Sequence, residues 1–108
     1  MTEKLISIEK IDLSEKDKES AMGELEHIQR ILRDLADGDA EGDKSVAYAD
    51  TGEAMSILDS ILGGDPAYDT RLALRKEASK KSMQGTDEEK MQGYRDTMMW
   101  VQQIKGLI

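Results

Sequence analysis

Four helix-start signals, each followed by apolar residues at helical spacing, constrain this chain more than any other feature. They are Ser14–Asp17, Asp50–Glu53, Asp65-Pro66 and Thr86–Glu89. In each, a short polar side chain can accept hydrogen bonds from the unpaired N–H groups of a first turn. An acid three residues on can bond back to the cap, and Pro66 suits the first helical position because its missing N–H is not needed there. The apolar residues that follow carry the same message. Met22, Leu25, Ile28, Leu32 and Leu35 recur at three- and four-residue steps, which predicts an amphipathic helix over 15–36. Ala54, Met55, Leu58, Ile61 and Leu62 predict a second over 51–62, closed by Gly63-Gly64. A third is expected over 66–83, with a thin face of Ala67, Leu74 and Ala78 beside Tyr68 and Leu72, and a fourth over 87–105, with a stripe of Met91, Tyr94, Met98 and Val101.

These elements predict a single all-α domain, a small four-helix bundle-like fold preceded by an arm over 1–13. Leu5, Ile6, Ile8, Ile11 and Leu13 fit a strand in part and a helix in part, so the arm reads as an extended or short helical segment packed on the body or on a neighbour. A chain of 108 residues supports one modest core, and with no Phe, one Trp and three Tyr that core must be mainly aliphatic, with seven Met as adaptable filler.

Composition also excludes chemistry. The absence of Cys removes disulfides, thiolate metal sites and a cysteine nucleophile, and one His cannot build a multi-histidine metal centre. His27 sits among Glu24, Glu26 and Arg30 with no partner nucleophile in view, and reads as a surface histidine. No apolar run reaches the ~20 residues that span a bilayer. The N-terminal residues do not resemble a signal peptide, so a cytoplasmic, non-enzymatic protein without a cofactor or membrane attachment is expected. The net charge of −8 is uneven: residues 1–65 hold 17 acids and 7 bases, whereas 66–108 hold 6 and 8. The acidic front argues against direct nucleic-acid binding. Arg71, Arg75, Lys76, Lys80 and Lys81 form a local basic stripe that reads as a solvated face or as partners of the chain's own acids, with phosphate binding the alternative.

One segment has metal-ligand spacing. Asp37, Asp39, Glu41, Asp43 and Ser45 place oxygens at alternate positions, with Gly42 at the sixth, and this resembles the calcium loop of the EF-hand family. The resemblance implies a calcium-binding module over 37–50. It covers about a dozen residues and departs from the pattern at Lys44 and at Tyr48, where the bidentate acid belongs. Starting the frame at Asp39 restores an acid, Asp50, at the last position but puts Lys44 in place of the glycine. The plainer reading is a solvated connector.

The fourth helix carries the expectation of function. Met98, Met99, Trp100 and Val101 are successive apolar residues about 100° apart, so they surround the helix and cannot all face one core. Trp100 lies furthest from the predicted stripe and is expected to pack against another chain or against the arm around Leu5–Ile11. Leu107 and Ile108 add further apolar surface. These six residues predict a protein-partner or self-association surface, and a non-catalytic interaction or assembly protein. The small, acidic, cysteine-free, helical composition is also similar to that of phage and mobile-element accessory and virion proteins. That likeness implies an alternative role, occupying a basic surface on a target, though Lys4, Lys10, Lys16 and Lys18 interrupt the acidic face.

Overall fold

The structure, a computed structural model, describes residues 10–38 and 44–108, without the side chain of Ser45. Among the described residues all regular structure is helical: α1 (Glu15–Asp37), α2 (Lys44–Ala49), α3 (Thr51–Leu62), α4 (Pro66–Asp69), α5 (Leu72–Gln84) and α6 (Asp87–Leu107). The four longer helices make the predicted bundle. Most of the arm lies outside the described residues. Its last part has no regular secondary structure, and Ile11 is buried with its N–H donating to the Leu107 carbonyl at 2.7 Å, which joins the arm to the end of α6.

Three of the four start signals act as caps. The Ser14 hydroxyl accepts from the Asp17 amide at 3.2 Å, and the Asp65 carboxylate accepts from the Ala67 amide at 2.9 Å ahead of Pro66. Thr86 and Glu89 form a full capping box: the Thr86 amide donates to Glu89 Oε1 at 2.9 Å and the Glu89 amide to Thr86 Oγ1 at 3.2 Å. The bond from the Thr86 backbone also holds the Glu89 carboxyl below the usual carboxylate range. Asp50 does not cap. It keeps helical dihedrals and leads from α2 almost directly into α3, and Thr51 instead donates its hydroxyl to the Tyr48 carbonyl at 2.7 Å. Among the described residues, Gly38 and Gly64 supply positive-φ turns, at 79° and 93°.

The expected stripe of α1 is the buried one, through Leu25, Ile28, Leu32 and Leu35, and that of α3 runs through Ala54, Met55, Leu58 and Leu62. Two expectations are corrected. The segment expected to be a connector up to Ala49 contains α2, whose Tyr48 is buried and stacks on Tyr94 with ring centroids 6.0 Å apart. The helix expected over 66–83 is broken at Thr70–Arg71. There the Ala67 carbonyl accepts from the Arg71 guanidinium at 2.6 Å and from the Thr70 hydroxyl at 3.2 Å, while the Arg71 amide turns to the Tyr68 carbonyl at 3.0 Å. Local side-chain bonds thus occupy the acceptor that a continuous helix would offer to the amide four residues on.

The seam of α6 also differs from the expected one. The buried residues are Gly93, Tyr94, Thr97, Trp100, Val101, Ile104 and Leu107. Gly93, Thr97, Trp100, Ile104 and Leu107 advance in alternating steps of four and three, the spacing of a tightly packed helix seam. Met91 and Met98, on the predicted stripe, are only partly buried at its edge. Gly93 explains the rotation. A Cβ there would stand 2.7 Å from the Ala78 carbonyl oxygen and 2.8 Å from the Ser82 amide nitrogen, so α5 and α6 meet backbone to backbone over Ala78 and Ser82. Gly93→Ala is therefore expected to destabilise the fold by about 1–3 kcal/mol through overpacking. Gly23→Ala, within α1 where a new Cβ meets nothing within 4 Å, should stabilise by about 0.5–1 kcal/mol. Urea unfolding followed by far-UV circular dichroism checks both signs, and equal effects of the two substitutions would contradict the close α5–α6 contact.

Candidate functional site

Among the described residues, aromatic and charged side chains gather around Trp100. Tyr68, projecting inward from the single turn of α4, meets the indole edge to face with ring centroids 6.1 Å apart. Arg75 of α5 lays its guanidinium over the same ring, 5.2 Å from the centroid, as a cation–π partner. Asp59 of α3 closes the group. It accepts from Tyr68 Oη at 2.6 Å and from Arg75 in a bidentate fork, Nη1 to Oδ1 at 2.8 Å and Nη2 to Oδ2 at 3.2 Å. Arg75 Nη1 also lies 3.2 Å from Tyr68 Oη.

The electrostatics follow from this geometry. Partial burial pushes the Asp59 carboxyl up, but the hydrogen bonds from Arg75 and Tyr68 and the charges of Arg75 and Lys76 together hold it below its ordinary value. Burial, with the Asp59 carboxylate beside it, raises the Tyr68 phenol well above its ordinary value. Burial alone would lower Arg75, and the Asp59 carboxylate overcomes this and keeps the guanidinium firmly protonated. A tyrosine, an arginine and an aspartate in contact are a familiar acid–base set. Here, however, Tyr68 is fully buried and its hydroxyl is bonded to its own neighbours, so the group clasps α3, α4 and α5 over Trp100.

A second polar group lies between α2, α5 and α6. Thr97 Oγ1 donates to the Gly93 carbonyl at 2.8 Å, which leaves it to accept from Tyr48 Oη at 2.9 Å; Tyr48 in turn accepts from Ser79 Oγ at 3.0 Å. The buried hydroxyls are thus satisfied in a directed chain.

The residues expected to form a partner surface are separated by the fold. Trp100 and Val101 are wholly buried and Leu107 is 5% exposed, so all three belong to this chain's own core. The expectation that Trp100 lies off the core is corrected, because the seam through Gly93 and Thr97 turns α6 until the indole faces inward. Met98 and Ile108 are half-buried against the core, and Met99 alone of the six is well exposed, at 52%. It projects nearly opposite the buried seam. Of the expected calcium ligands, Asp39, Glu41 and Asp43 lie outside the described residues, while Asp37 and Asp50 are exposed at the end of α1 and ahead of α3. Lys44 opens α2 and Tyr48 is committed to the core. Among the described residues no group of three or more His, Cys, Asp or Glu is placed to hold a metal.

His27 is exposed on α1. The basic stripe divides: Arg75 serves Asp59, Arg71 serves the Ala67 carbonyl, Lys81 lies 3.5 Å from Asp96 of α6, and Lys76 and Lys80 face solvent. A shallow groove of about 600 Å³ lies beside α5 and α6, lined by Lys81, Glu88, Glu89, Met91, Gln92 and Arg95. No helix among the described residues is long and apolar enough to cross a membrane. Comparison with protein-family models, curated proteins and solved structures finds no match.

Two outcomes follow. Trp100 should emit as a buried indole and resist aqueous quenchers, and Trp100→Ala should cost about 3–5 kcal/mol, a large part of the ~5–15 kcal/mol available to a domain. A quencher-accessible Trp100, or a well-folded alanine variant, would place it outside the core. Because the Asp59 pKa is lower folded than unfolded, its contribution is fully present above the unfolded carboxylate value and disappears as pH falls through the folded one. Urea midpoints between about pH 2 and pH 6 should therefore fall less steeply with acid in Asp59→Asn than in the parent chain, and the variant should be less stable at neutral pH because Arg75 loses its counter-charge.

Proposed function

We propose that this chain is a non-catalytic protein-interaction module that docks through the outer face of α6, with Met99 as the apolar anchor. One observation carries the reading: Met99 is a large apolar side chain half-exposed on the face of a long helix opposite its buried seam. Its helical neighbours at three and four residues are Arg95, Asp96, Gln102 and Gln103, a polar surround for one apolar contact. Methionine suits that role because its unbranched, polarisable side chain adapts to the pocket it enters. The inward-facing chemistry supports the same reading. Among the described residues, the cluster with acid–base character, Asp59, Tyr68 and Arg75, is closed on itself around Trp100.

The partner is another protein or a second copy of this chain. The test compares Met99→Lys with Met83→Lys, which charges another exposed methionine, 40% accessible, at the far end of α5. Self-association by sedimentation equilibrium and affinity capture from the source cells are measured for the parent chain and both variants. Met99→Lys should weaken the association at least ~10-fold, equivalent to about 1.4 kcal/mol, with unchanged helicity, while Met83→Lys behaves as the parent. The same monomer with the same retained proteins in all three would overturn the proposal.

A further inference from the structure

We draw no further inference here: the strongest candidate, the shallow groove beside α5 and α6 lined by Lys81, Glu88, Glu89, Met91, Gln92 and Arg95, carries nothing, because its charges are of both signs, Glu89 already serves the Thr86 cap, Lys81 faces Asp96, and nothing in the structure shows what covers it.

Discussion

The approach of α6 to α5 at Gly93 sets the geometry on which the rest of the core depends. With no Cβ at that position, the backbone of α6 rests on Ala78 and Ser82, and α6 takes the rotation that this contact allows. Small residues on both sides make the approach: Ala78 and Ser82 lie one turn apart on α5, as do Gly93 and Thr97 on α6. The polar members are accommodated by turning their hydroxyls back to the carbonyls four residues earlier, Ser82 to Ala78 and Thr97 to Gly93, both at 2.8 Å. Once that register is fixed, Trp100, Ile104 and Leu107 follow into the interior at heptad spacing.

Trp100 then needs a wall, and the chain supplies an unusual one. Aliphatic residues of α1 and α3 fill much of the core, but the indole is also bordered by Tyr68 and by the guanidinium of Arg75. A guanidinium in that position is tolerable because its charge is met by Asp59 in a bidentate pair, and because a planar cation suits an aromatic face. Asp59 retains contact with solvent, its side chain 42% exposed against 12% for Arg75, which keeps the desolvation of the pair moderate. Bonded to one another, Asp59, Tyr68 and Arg75 tie α3, α4 and α5 together over Trp100.

The parts of this fold legible in the sequence were those where chemistry is local or the stripe is purely apolar. The caps at Ser14, Asp65 and Thr86 depend on neighbouring residues alone, and the faces of α1 and α3 are written in Leu, Ile, Met and Ala. The seam of α6 was misplaced because two of its members, Gly93 and Thr97, do not register as apolar, so the eye follows Met91 and Met98 along the edge instead. The spacing Ala78–Ser82 against Gly93–Thr97 is the signal that could have corrected it. The break before α5 comes from Thr70 and Arg71 bonding back to the Ala67 carbonyl, and the short α2 is held by tertiary contacts of Tyr48; no periodicity over four or six residues reveals either. The candidate surface was partly legible for the same reason: the four apolar residues from Met98 to Val101 do surround the helix, but with the seam rotated the outward one is Met99 and the inward one is Trp100.

The single turn α4 has a consequence for how the protein opens. A four-residue helix between a glycine pair and a turn has almost no cooperative stability of its own, and isolated it would fray at once. Its Tyr68 is nevertheless fully buried and bonded to Asp59, so the turn cannot leave without withdrawing an aromatic ring from beside Trp100. The amides of Asp69, Thr70 and Arg71, whose acceptors are the Asp65, Pro66 and Tyr68 carbonyls, are therefore expected to gain protection from solvent deuterium that a lone turn would not give them. A stretch that looks like linker is thus coupled through one side chain to the opening of the core.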